Sequence, residues 1–82
     1  MKITIKLIGR YKDITGKQEV TFDIKSGDTI WYAVDEFIKQ YPVFEKDKQF
    51  IIVTKNNIFT NYNEKIKEGD NITIAPPVVS GG

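Results

Sequence analysis

Apolar and polar residues alternate strictly over the first stretch of the chain, Lys2-Ile3-Thr4-Ile5-Lys6-Leu7. That period of two predicts a strand with Ile3, Ile5 and Leu7 facing a core and Lys2, Thr4 and Lys6 facing water. The segment from Gly9 to Gly16 reads as a loop, closed by the turn signal Thr15-Gly16. Alternation resumes at Glu19-Val20-Thr21-Phe22-Asp23-Ile24, so a second strand is expected, paired antiparallel with the first. Lys25-Ser26-Gly27-Asp28 breaks that strand, with Asp28 or Thr29 as N-cap of a helix. The period then changes. Ile30, Ala33, Val34, Phe37 and Ile38 recur at three and four residues, which predicts that helix to about Gln40. Pro42 disfavours helical geometry at Tyr41 and should end it there. Trp31 and Tyr32 lie beside the apolar stripe, at the edge of the core.

Beyond a polar loop at 45–49, the run Phe50-Ile51-Ile52-Val53-Thr54 predicts a central strand buried on both faces. Ile58-Phe59-Thr60 reads as a short edge strand, Asn61 to Lys65 as polar loop, and Ile66 as a plug beneath the core. Glu68-Gly69-Asp70 turns the chain into a last strand, in which Ile72 and Ile74 alternate with Asn71 and Thr73. Hairpin, helix, then two or three further strands predict an α+β domain. With the first and last strands side by side and parallel, the fold is a β-grasp, or ubiquitin-like, roll. A mixed four- or five-stranded sheet then packs on one main helix. The domain is expected over residues 1–75, and residues 76–82 form an extended C-terminal tail.

Composition narrows the chemistry. The 82 residues suffice for one small domain; 40% are apolar and 28% charged. Twelve basic and eleven acidic residues leave a net charge of +1 and no basic block, so neither nucleic acid nor a membrane is an indicated partner. No run has the length of a membrane span or the form of a signal peptide, which points to the cytoplasm. Cysteine and histidine are both absent. The chain therefore lacks a thiol nucleophile, a thiolate metal site and the usual general acid–base at neutral pH. Ser80 has no candidate base, so no intrinsic side-chain catalysis and no bound cofactor are expected.

What remains is the tail, Pro76-Pro77-Val78-Val79-Ser80-Gly81-Gly82. The two prolines fix φ and remove two ladder donors, so they end the sheet and project an extended arm. Gly81 and Gly82 carry no side chains and can enter a channel too narrow for any other residue. A terminal carboxylate on such an arm is within reach of another protein's active site. A disordered chain end is the plain alternative for these seven residues.

These features together resemble the small subunit of molybdopterin synthase, a family of ubiquitin-like sulfur carriers. The likeness rests on three elements: the Pro76–Gly82 ending, the Glu68-Gly69-Asp70 turn before the final strand, and the arrangement of Arg10, Asp13 and Gly16 after the first strand. Two features depart from it. The family often has bulky aromatics immediately before the prolines, where this chain has Ile74-Ala75, and a Val-Asn pair where Val53 is followed by Thr54-Lys55-Asn56.

The resemblance implies that Gly82 is the reacting residue. A ubiquitin-activating-like enzyme would adenylate its carboxylate with ATP. Sulfur from a donor protein would then displace AMP and leave a thiocarboxylate. Pro76, Pro77, Val78, Val79, Ser80 and Gly81 would lie in a channel of the large subunit, where the sulfur passes to cyclic pyranopterin monophosphate. Arg10 is either a solvated loop charge or a contact to that partner. Two other functions share the fold and the Gly-Gly end. One is a ubiquitin-like modifier that forms isopeptide bonds through Gly82, and the other is a carrier of sulfur for thiamine or another metabolite.

Overall fold

A computed structural model describes residues 1–25 and 27–77. Two alternating segments become β1 (Lys2–Leu7) and β2 (Glu19–Asp23), antiparallel with Lys2 opposite Asp23 and Lys6 opposite Glu19. Their inward residues Ile3, Ile5, Leu7, Val20 and Phe22 are buried, as the period of two requires.

The connection between these strands is not the loop expected from its turn signals. Arg10–Thr15 forms a short helix, α1, and the Tyr11 side chain is completely buried. Gly16 closes it at φ 72°, donating its N–H to the Lys12 carbonyl at 2.9 Å. The helix forms because Tyr11 has a core to enter: its ring meets Phe44 edge-on at 4.5 Å between centroids and Phe37 at 5.4 Å. Local turn chemistry lost to tertiary packing.

The apolar stripe at 30–38 becomes α2 (Ile30–Gln40), with Ile30, Ala33, Val34, Phe37 and Ile38 buried beneath the sheet. Thr29 is its N-cap residue but makes no side-chain cap bond. Instead the N–H groups of Ile30 and Trp31 donate to the carbonyls of Glu64 and Tyr62, both at 3.0 Å. A returning loop thus satisfies helix donors that a side chain would otherwise cap. Trp31 is half-buried, edge-on to Tyr62 at 4.5 Å.

Tyr41 leaves helical geometry before Pro42, with φ −129° and ψ 73°, so the helix ends where expected. The next segment differs from the expected polar loop. Pro42–Asp47 forms a 3-10 helix that buries Phe44 against Phe37, their rings stacked at 5.5 Å.

Three strands complete the sheet: β3 (Ile52–Lys55), β4 (Ile58–Phe59) and β5 (Ile72–Ala75). The order is β2-β1-β5-β3-β4, with β1 and β5 parallel and the other pairs antiparallel. This is the β-grasp arrangement, a five-stranded mixed sheet on one main helix. Asn56 and Asn57 join β3 to β4 with φ of 56° and 69°, the signature of a two-residue type I′ hairpin turn. Ile66 is fully buried, as expected.

One strand needs correction. β3 is not buried on both faces, because helices cover only one side of the sheet. Ile51 and Val53 face the core, whereas Ile52 and Thr54 are half-exposed and Phe50 is 65% exposed. The central position belongs to β5, flanked by β1 and β3.

Candidate functional site

The C-terminal segment grows out of the middle of the sheet. In β5, Ile74 lies between Leu7 of β1 and Val53 of β3, and Ala75 lies opposite Ile52. The Ile8 N–H donates to the Ile74 carbonyl at 3.2 Å, the last ladder bond on that side. Pro76 and Pro77 come immediately after; they carry no N–H and leave the ladder. Both are half-buried, so the start of the arm is seated on the domain. The other expected tail residues, Val78, Val79, Ser80, Gly81 and Gly82, lie outside the described residues.

Beside this exit the uncovered face of the sheet is apolar. Ile8, Ile52, Phe59 and Ala75 line a shallow depression together with Thr54 and Thr73, rimmed by Lys6 and Asn57. The register explains the grouping. Phe59 pairs with Thr54 and Ile52 with Ala75, so side chains from three strands stand on one face. Phe59 is 79% exposed and Ile8 45% exposed. Phe50, just before β3, is 65% exposed. This surface was not identified from the sequence. Its signal was present as three breaks in alternation: Leu7-Ile8, Phe50-Ile51-Ile52 and Ile58-Phe59 each put an apolar residue where the core cannot take it.

Arg10 sits on α1 and pairs with the Asp47 carboxylate, which also accepts a hydrogen bond from the Tyr11 hydroxyl at 2.8 Å. The guanidinium is nevertheless partly exposed. Asp13 and Gly16 lie on the same short helix and its cap. The Arg10 and Tyr11 bonds to Asp47 lock α1 onto the 3-10 helix.

The turn before β5 is similarly tied. The Asp70 carboxylate accepts from the Lys67 N–H at 2.8 Å and from the Asn56 side-chain amide at 3.0 Å. These bonds hold its carboxyl below the usual range. Lys67 itself is an exposed surface charge.

Among the described residues no charged or polar side chain is buried apart from the Tyr11 phenol, and no group of three or more acidic, His or Cys residues could hold a metal. The Tyr11 phenol is pushed far above its ordinary range by burial, then by its bond to Asp47 and that residue's charge. Burial pushes Tyr62 up to about 12. Neither phenol exchanges protons near neutrality. Among the described residues no helix is long and apolar enough to cross a membrane.

The model of the ThiS family matches residues 5–82, nearly the whole chain and the arm with it. The chain belongs to the ThiS family. Over 82 residues it is 27% identical to the molybdopterin synthase sulfur carrier subunit of Arabidopsis thaliana, covering all of this chain and 84% of that protein. Its fold is similar to that of SAMP1 from Haloferax volcanii, with TM-score 0.81, 26% identity and full coverage of both chains. It is also similar to a chain in the complex of subunits 1 and 2 of molybdopterin-converting factor from Helicobacter pylori. There the TM-score is 0.58 at 19% identity, with 99% of this chain and all of that one covered. The fold and family expected from the tail, the Gly-Asp turn and the first-strand corner are thus borne out: this ThiS-family chain has the ubiquitin-like fold of the sulfur carriers.

Proposed function

We propose that this ThiS-family chain is the sulfur-carrier subunit of a molybdopterin synthase. The observation that carries the reading is the exit of Pro76-Pro77 from the central strand, beside an exposed apolar face and in a chain with neither histidine nor cysteine. Such a body presents an arm and docks it; the chemistry belongs to the partners and to the end of the arm. The relative in Arabidopsis thaliana supports the choice of molybdopterin synthase.

In this reading, an activating enzyme transfers AMP from ATP to the Gly82 carboxylate and releases pyrophosphate. Adenylation is needed because a carboxylate is a poor electrophile. Sulfur delivered by a donor protein displaces AMP and forms a thiocarboxylate. The arm then enters the large subunit, with Val78, Val79, Ser80 and Gly81 in its channel, and Gly82 gives its sulfur to cyclic pyranopterin monophosphate. The face formed by Ile8, Ile52, Phe59 and Ala75 docks against the partner and offsets the cost of ordering the arm. Phe59 and Phe50 supply aromatic bulk that Ala75 lacks. ATP is used by the activating enzyme and is not held by this chain. The cytoplasm, where these partners would work, is the proposed location.

A second reading is favoured by the likeness to SAMP1, a small archaeal modifier protein. Here the same adenylated Gly82 is attacked by a lysine amine and forms an isopeptide bond. ATP–pyrophosphate exchange by the cognate activating enzyme tests what the two readings share. Exchange should occur with the full chain and vanish on deletion of Gly82; equal exchange with both would overturn them. Mass spectrometry of proteins from cells expressing the tagged chain separates the two. Gly82-linked lysines would establish the modifier, and their absence alongside a thiocarboxylate would favour the carrier.

A further inference from the structure

We infer that Gly9 is a positioning residue for the C-terminal arm, the seat on which Pro76 fixes the arm's direction. This rests on the arm being the working part of the protein, as proposed above. Gly9 stands at the corner where β1 gives way to α1, with φ 64° and ψ −136°. That combination is open to glycine and closed in practice to residues with a side chain. The corner is held from both sides. The Gly9 carbonyl accepts the N–H groups of Lys12 and Asp13 at 3.0 and 3.1 Å, and the adjacent Ile8 N–H binds Ile74.

Pro76 lies directly over this corner. A Cβ built on Gly9 would meet Pro76 Cγ at 3.4 Å and Cδ at 3.5 Å, its nearest neighbours. Those distances are ordinary van der Waals contact, so a methyl group would touch the ring without displacing it, and a branched side chain would push into it. Pro76 has no freedom in φ, so the packing of its ring over Gly9 constrains the backbone at the root of the arm. The other glycines with positive φ among the described residues, Gly16, Gly27 and Gly69, have nothing within 4 Å of a built Cβ. Gly9 alone among them joins an unusual backbone to a close neighbour, and that neighbour is the first residue of the arm. Ladder pairing positions β5 up to Ala75; beyond it this contact takes over.

The test is a double-mutant cycle of G9V and P76G in the full chain, reading kcat and KM for adenylation by the cognate activating enzyme. G9V, whose methyl groups would enter the ring's space, should lower kcat/KM by about tenfold, as expected when a reacting group is displaced by a fraction of its reach. In the P76G background, where no ring is left to displace, the same change should cost less than about twofold. Equal losses in both backgrounds, or no loss in either, would overturn the inference. P76G alone leaves the core untouched and should lower kcat/KM even if G9V unfolds. An NMR measurement reads the seat without any activity. Cross-relaxation between Gly9 Hα and Pro76 Hγ or Hδ protons should be strong in the unmodified chain, and its absence would overturn the seat. Should the chain fail to be adenylated at all, the carrier function falls, while the NMR result still decides the seat.

Discussion

The hydroxyl of Tyr11 donates to the carboxylate of Asp47 at 2.8 Å, joining residues 36 positions apart in the chain. Because Arg10 grips the same carboxylate, one acidic side chain pins the first short helix to the 3-10 helix. The corner that receives Pro76 is the start of that pinned helix. Stability of the body and placement of the arm are therefore linked through α1.

Removing only this hydroxyl should be measurable. Y11F keeps the ring among Phe37 and Phe44 but leaves Asp47 with Arg10 as its remaining side-chain partner. The expected loss is about 1 kcal/mol, the typical net contribution of one intramolecular hydrogen bond. In a domain this small that lowers Tm by about 4–8 °C. Thermal unfolding of the two proteins reads it directly, and an unchanged Tm would mean the bond contributes nothing net.

Acid should weaken the turn before β5. The folded-state pKa of Asp70 is held below its ordinary 3.8 by the Lys67 N–H and the Asn56 amide. The unfolded state binds the proton more readily, so the contribution is complete above that value and is lost as pH falls through the lowered folded-state pKa. Urea midpoints compared between about pH 7 and about pH 3 should show a smaller acid loss for D70N than for the unmodified chain. Equal acid losses would show that Asp70 is not a source of the dependence.

The hairpin turn is imperfectly matched to its residues. Asn57 holds φ 69° in the second position of a type I′ turn, where glycine is preferred. N57G should therefore stabilise the domain by a few tenths of a kcal/mol, up to about 1. A lower urea midpoint would indicate that the Asn57 side chain contributes more than its backbone costs.

How much of this was legible in the sequence depends on where the deciding force was local. Alternation in β1 and β2 and the three-four spacing of α2 revealed their positions, because each element buries one face. Pro42 ended the helix where its ring demands. Tyr11 and Phe44 were hidden for the opposite reason. Both sit among turn formers and charges, and become core only when α1 and the 3-10 helix fold against Phe37. The apolar run at 50–54 misled because hydrophobicity alone cannot tell a residue covered by the protein's own helix from one left for a partner. Pro76 and Pro77 could be named as the root of the arm. Their seat at Gly9 could not, since it arises from a parallel pairing of segments more than sixty residues apart.

The open face should separate binding from folding. Phe59 is 79% exposed, so F59S should change stability by no more than about 0.5 kcal/mol. If the face docks the large subunit, the same change should weaken that association about tenfold or more, as loss of a central aromatic contact does. Calorimetric titration against the partner reads the affinity. Unchanged affinity would place the interface elsewhere.

Sulfur at the end of the arm can be weighed. The intact mass of the full chain is taken after incubation with ATP, a sulfur source and the cognate activating enzyme. A gain equal to the exchange of one oxygen for one sulfur is expected. It should be absent on deletion of Gly82 and reversed on adding the large subunit with cyclic pyranopterin monophosphate. An unchanged mass with an enzyme shown to be active, or a gain that survives loss of Gly82, would contradict the carrier role.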